Sequence, residues 1–228
     1  MEEDNDNIFY QIKCIIVGDS GVGKTCILYR YIKDEFNKYE ITIGADFFHK
    51  NMTINDKKLN LQIWDTAGSE GYKSITKGYF SNTACCILVY DITRPESFKS
   101  IINWIEDVRN YNNDIDFILV GNKYDLKDER KISEEHGKAL ASEFDMKYIE
   151  VSAKTDYKIK DVFKIIFQLL YEKIKKNELD DDGKELNGIK KCNTAKNFDF
   201  NDKFILKVNR NNENNEIINV QRRKKCGC

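Results

Sequence analysis

Eight consecutive residues, Gly18-Asp19-Ser20-Gly21-Val22-Gly23-Lys24-Thr25, have the make-up of a phosphate-binding turn. The glycines let backbone N–H groups curl around phosphate oxygens, Lys24 places a positive charge at the β- and γ-phosphates, and Thr25 offers a hydroxyl to Mg2+. An ordinary glycine turn needs none of these parts together. The turn also sits between an apolar run and a helical pattern, so a helix N-terminus directs its partial positive charge at the same anion.

Such a turn does not distinguish ATP from GTP. Asn122-Lys123-Tyr124-Asp125 and, further on, Ser152-Ala153-Lys154 do. The Asp125 carboxylate can accept two parallel hydrogen bonds from the N1–H and exocyclic amine of guanine, a donor pair that adenine lacks. The backbone N–H of Ala153 can meet guanine O6. Either motif alone is compatible with a plain surface loop. With the turn upstream, and all three at the ends of predicted strands, they indicate a guanine nucleotide and make an ATPase or kinase the weaker reading.

The elements that must hold these residues follow from the apolar pattern. Tyr10–Val17, Ala84–Tyr90, Phe117–Val120 and Lys147–Val151 read as buried strands. Asp46–Thr53 and Lys58–Trp64 read as two strands joined by a hairpin over 54–57. Thr25–Lys33 reads as a helix with Ile27, Leu28 and Tyr31 on one face. Pro95, the only proline, stands where the first turn of a helix tolerates it, ahead of Phe98, Ile101, Ile102, Ile105 and Val108 at helical spacing. Ser133 is a candidate N-cap, with Glu134 and Glu135 suited to the first turn. Val162, Phe163, Ile166, Leu169, Leu170 and Ile174 form one face of a final helix. The alternation predicts an α/β fold of three layers: a six-stranded, mostly parallel sheet with helices on both faces and the hairpin strand as its antiparallel edge.

The chain has 228 residues, enough for one domain of ordinary size and a tail. The expected division is a domain over 8–176 and a flexible tail over 177–228. A formal net charge of -1 gives no global field toward nucleic acid or membrane. The N-terminal MEEDNDNIFY has no apolar core of a secretion signal. No run approaches the roughly 18 apolar residues of a membrane span. Of seven cysteines, Cys14, Cys26, Cys85 and Cys86 read as buried, reduced thiols, whereas Cys226 and Cys228 stand apart with one residue between them.

The tail is rich in Asp, Asn and Lys and too polar to bury a core. Within it Phe198, Phe200, Phe204, Leu206 and Val208 alternate with mostly polar neighbours. That periodicity could extend a partner's sheet edge; chance alternation in a low-complexity tail is the favoured reading. Arg222-Arg223-Lys224-Lys225 precede Cys226-Gly227-Cys228, and four such charges near an anionic leaflet contribute on the order of 4 kcal/mol.

Taken in order, GDSGVGKT (18–25), TIGADF (42–47), LQIWDTAG (61–68), LVYDIT (88–93), GNKYDL (121–126) and VSAK (151–154) resemble the Ras superfamily of small GTPases. TIGADF, KSITKGYF (73–80) and the terminal CGC are similar to its Rab family; LVYDITRPESF (88–98) and LYEKIK (170–175) lean toward Rabs of Golgi and endosomal membranes. The resemblance implies a GTP-binding switch of vesicle traffic that hydrolyses GTP to GDP on the cytoplasmic face of intracellular membranes. It implies nucleotide contacts from Ser20, Gly21, Val22, Gly23, Lys24, Thr25, Cys26, Phe36, Thr42, Gly68, Asn122, Lys123, Asp125, Ser152, Ala153 and Lys154. Mg2+ would be held by Thr25, Thr42 and Asp65, and catalysis would draw on Lys24, Thr42, Gly68 and Ser69. Cys226 and Cys228 would carry geranylgeranyl groups. Effectors, an exchange factor, a TBC-type activating protein and prenyl-delivery or extraction proteins are the implied partners, with no nucleic acid. Phe47, Trp64 and Tyr79 would meet effectors or pack on the sheet, or both.

Two departures from that family matter. The interval between Phe36 and Thr42 is one residue short. Ser69 and Gly71 stand where the family has glutamine and arginine. A serine hydroxyl lies two bonds nearer the backbone than a glutamine amide, so direct contact with an attacking water is not expected. Glycine raises the entropy cost of ordering the loop. Slow intrinsic hydrolysis with intact binding is therefore expected, and a GTP-bound adaptor that recruits effectors without cycling is the alternative.

Overall fold

The computed structural model describes residues 9–37, 42, 45–55, 57–68, 77–180, 186–192, 203–209 and 217–222. Strand β1 (Phe9–Val17) enters the glycine turn and helix α1 (Lys24–Lys33) leaves it. Then come β2 (Ala45–Ile54), β3 (Lys57–Thr66), β4 (Cys85–Asp91), α2 (Pro95–Arg109) and β5 (Asp116–Asn122). A short 3-10 helix (Tyr124–Glu129), α3 (Glu134–Glu143), β6 (Lys147–Glu150) and α4 (Ile159–Asp180) complete the domain. The six strands stand in the order β6-β5-β4-β1-β3-β2. All pairs are parallel except the β2–β3 hairpin, which is antiparallel from Ala45↔Thr66 to Ile54↔Lys57.

Alternation along the strands divides the core into two layers. Ile12, Cys14 and Ile16 of β1 and Cys85 of β4 face α1 and α4, where they meet Ile27, Leu28, Phe163 and Ile166. Ile15 and Val17 of β1 and Cys86 of β4 face α2 and α3, where they meet Ile101, Ile105 and Leu140. Successive strand residues thus feed opposite cores, which gives the expected three layers. Cys14, Cys85 and Cys86 are buried thiols. Pro95 opens α2, and the Ser133 hydroxyl accepts from the His136 N–H at 3.3 Å at the start of α3.

Part of the segment after α4 pairs with the sheet. β7 (Ile189–Cys192) pairs antiparallel with the first half of β1, from Ile189↔Ile12 to Cys192↔Phe9. The reason is an opening in the sheet: β4 begins opposite Cys14, so Phe9–Ile12 have an edge that β4 does not reach. Lys13 marks the handover, its N–H donating to Gly188 O at 2.9 Å and its carbonyl accepting from Ala84 N at 2.9 Å. Gly188 has φ +71, and a Cβ there would lie 2.1 Å from Ala84 N. Ile189 is buried, and the Asn187 amide donates to Asn112 Oδ1.

Two further strands, β8 (Lys203–Asn209) and β9 (Ile217–Arg222), form an antiparallel pair. β8 joins β2 in parallel at Thr53↔Lys203 and Ile54↔Phe204. β2 is therefore not the free edge, and the alternation at 204–208 belongs to a strand of the chain's own sheet rather than to chance.

Candidate functional site

The turn between β1 and α1, the carboxyl ends of β3 and β5, and the loop after β6 surround one cavity of about 490 Å3. Its lining includes Ser20, Gly21, Gly23, Lys24, Thr25, Cys26, Phe36, Thr42, Gly68, Asn122, Lys123, Asp125, Ala153 and Lys154. Parallel strands direct all their carboxyl ends to one side, which is why motifs far apart in sequence meet here. Two predicted contacts lie behind the lining. Val22 packs in the core, and Ser152 is buried beneath Asp125. Asn37 and Leu126 line the cavity without having been singled out. Their only sequence signal was adjacency to Phe36 and Asp125. Cys26 lines the cavity half-buried, so it is not a core thiol like the others. Ser69, Gly71, Cys226, Cys228 and the shortened interval before Thr42 lie outside the described residues.

At the phosphate end, α1 starts at Gly23 without a side-chain cap, which leaves its first N–H groups for an anion. Gly23 has φ +98, and a Cβ there would lie 2.4 Å from Asn122 Nδ2. Lys24 is only 6% exposed and donates to the carbonyls of Gly18 at 2.8 Å and Asp19 at 3.1 Å. Burial pushes its pKa down to about 8, against the pull of Asp65 and Asp19. An arriving phosphate supplies the counter-charge that this buried ammonium favours.

Three oxygen donors converge beside Lys24. Thr25 Oγ1 donates to Asp65 Oδ2 at 2.5 Å and stands 3.1 Å from Thr42 Oγ1. Asp65 is fully buried, and among the described residues its Oδ1 has no hydrogen-bond partner. Burial pushes the carboxyl up to about 6, although Thr25 and Lys24 pull it down. A buried carboxylate with an unsatisfied oxygen and two hydroxyls beside it fits a small, hard cation such as Mg2+. Among the described residues no group of three or more His, Cys, Asp or Glu side chains could hold a metal, so hydroxyls make up this donor set.

At the other end, Asn122 ties the motifs together. Its Nδ2 donates to Val22 O at 2.8 Å and its Oδ1 accepts from Ala153 N at 3.3 Å. Ser152 Oγ donates to Asp125 Oδ1 at 2.6 Å, and Lys154 Nζ lies 3.7 Å from Asp125 Oδ2. Lys123 pairs with buried Asp91 at 2.6 Å. Burial would raise the Asp91 carboxyl, but hydrogen bonds from Lys123 and Thr93 hold it below its ordinary value. Three supports escaped the motif reading because each acts from a neighbouring helix or loop. Arg30 on α1 donates to Ala153 O at 3.0 Å, Trp104 on α2 to Asp19 Oδ1 at 2.9 Å, and Arg94 to Ser20 O at 3.2 Å.

Outside the cavity, Phe47, Trp64 and Tyr79 form a continuous row, with ring centroids 5.0 Å and 4.6 Å apart. Phe47 is 42% exposed, so the row packs on the sheet and still presents an aromatic face.

The family model of the Ras family matches residues 13–172. The chain is also 42% identical over 156 residues to the Ras-related protein Rab-8B of Bos taurus, covering 68% of this chain and 75% of that protein. The chain belongs to the Ras family. Within that family it is a Rab-like small GTPase, an enzyme that hydrolyses GTP to GDP.

Proposed function

We propose that this Rab-like GTPase is a membrane-traffic switch whose GTP-bound state is long-lived unless a partner ends it. The observation that carries the nucleotide assignment is the convergence of Lys24, Thr25, Asn122 and Asp125 on one cavity, with buried Asp65 bonded to Thr25 behind its wall. Asp125, fixed by Ser152, accepts the guanine N1–H and amine; Phe36 covers the ring face. Backbone N–H groups of 20–26 and the Lys24 ammonium take the phosphate chain. Thr25, Thr42 and Asp65 hold Mg2+, which when bound neutralises charge developing on the phosphate oxygens. Thr42 and Gly68 meet the third phosphate by their backbone N–H groups, so both switch loops are ordered only while it is present. The Phe47–Trp64–Tyr79 face next to those loops is where effectors read the state.

Ser69 removes the side chain that aligns the attacking water, and Gly71 loosens the loop that carries it. Hydrolysis then falls to a TBC-type protein, which supplies an arginine and a glutamine in trans; an arginine finger alone is worth roughly 10³–10⁵ in rate. Geranylgeranyl groups on Cys226 and Cys228, with the basic run 222–225, hold the protein on an anionic leaflet of Golgi or endosomal membranes. No helix among the described residues is long and apolar enough to cross a membrane. Mass spectrometry of the membrane-bound pool checks this part: two prenyl groups are expected, and free thiols on both cysteines contradict it.

The second reading, a non-cycling adaptor, rests on Ser69 and Gly71. Nucleotide extracted from cell-derived protein separates the two. A switch gains GDP when a TBC-type protein is supplied, whereas an adaptor stays GTP-bound.

A further inference from the structure

We infer that Tyr148, Glu150 and Arg130, with Tyr90 as their floor, are positioning residues that set the affinity and selectivity of the guanine subsite. This rests on the guanine subsite proposed above. The four side chains form one connected polar chain beneath the two loops of that subsite. Arg130 donates to Glu150 through both terminal nitrogens, Nη1 to Oε1 at 2.6 Å and Nη2 to Oε2 at 2.6 Å. The Tyr148 hydroxyl donates to Glu150 Oε1 at 2.7 Å and stands 3.1 Å from the Tyr90 hydroxyl. With the Tyr148 proton directed to Glu150, Tyr90 donates to Tyr148, and each hydroxyl is satisfied. Glu150 is 6% exposed and Tyr90 is fully buried, so the chain lies in a low-dielectric setting where each bond is stiff and a missing one is costly.

Its location gives it a function beyond holding the core. Glu150 ends β6, two residues before Ser152, the residue that fixes Asp125. Arg130 directly follows the 3-10 helix that carries Asp125, and its N–H donates to Lys127 O at 3.3 Å. The Arg130–Glu150 fork therefore clamps the loop bearing the base-reading carboxylate to the strand bearing the serine that orients it. Tyr90 and Glu150 also touch Gly121, the residue before Asn122, where a Cβ would lie 2.8 Å from the Tyr90 hydroxyl and 3.2 Å from Glu150 Cγ. Backbone bonds from Val151 N to Gly121 O at 2.8 Å and from Tyr124 N to Val151 O at 2.9 Å close the frame. Loss of one member leaves a buried hydroxyl or charge unpartnered where the two loops are joined.

The test compares release of GDP and IDP, each with a fluorescent ribose label, from the full chain in excess Mg2+. Hypoxanthine keeps the N1–H but lacks the exocyclic amine, so the ratio of the two rates reports how well Asp125 is aimed. The wild type is expected to release IDP about tenfold faster than GDP, the worth of one hydrogen bond to a charged group. Tyr148→Phe, which keeps the ring and removes the hydroxyl, is expected to speed GDP release several-fold and to shrink the ratio at least about threefold. Glu150→Gln should do more, and if it does not fold Tyr148→Phe decides alone. Gly188→Ala, at the far end of the sheet, measures the effect of general loosening and should leave the ratio unchanged. An unchanged ratio in Tyr148→Phe, or an equal fall in Gly188→Ala, overturns the proposal. Equal release of GDP and IDP by the wild type instead overturns the guanine subsite itself.

Discussion

Asp65 shows how one buried carboxylate can link proton, cation and nucleotide. Its ordinary pKa of 3.8 is raised to about 6, chiefly because burial disfavours its charge. A raised folded value means that the ionised form costs stability: as pH rises from about 4 to about 6, the cation-free fold loses what this group contributed below 3.8. Were Asp65 to hold Mg2+ as proposed, the cation would offset that cost. The proton and the cation therefore compete, and the Mg2+ affinity of the nucleotide complex should fall up to about tenfold per pH unit below about 6. Calorimetric titration of Mg2+ at several pH values checks this, with Asp65→Asn as the control that loses this part of the pH slope. Lys24 shifts the other way for the same reason, burial, and an anion rather than a cation would offset it.

At the scale of elements, β7 is the test of what completes the sheet. Gly188 adopts a left-handed conformation against Ala84, so Gly188→Ala forces both backbone strain and a clash and should cost about 1–3 kcal/mol. Thermal melting measures that loss, and amide exchange locates it: protection at Phe9–Lys13 should fall while that of β5 holds. Loss spread evenly over the sheet would contradict the local role given to β7. This element also marks the limit of what the residues disclose. The six strands of the domain were legible because each is a continuous or alternating apolar run, as in Ala84–Tyr90. β7 offers only Ile189 with the flanking Leu186, too few apolar positions to define a period, and it forms because β4 leaves the start of β1 uncovered. The alternation at 204–208 was visible, but nothing local told that its pairing partner is β2. The residues that line the cavity were legible almost one by one, because each motif ends a strand. Its supports Arg30, Trp104 and Arg94 were not, because their roles depend on neighbours 123, 85 and 74 positions away in sequence.

For the whole molecule, the sheet separates two tasks. The cavity proposed to take the nucleotide lies at the carboxyl ends of the parallel strands. β7 runs the opposite way to β1 and carries the chain toward the end remote from that cavity. What turns the molecule off is then the central question, and Ser69 carries it. Single-turnover hydrolysis of preloaded GTP, wild type against Ser69→Gln at saturating Mg2+, asks it most directly. Equal GTP retention and faster hydrolysis by Ser69→Gln are expected, on the order of 10²–10³-fold, the scale of one correctly placed polar group. A wild-type rate equal to or above that of Ser69→Gln would contradict it.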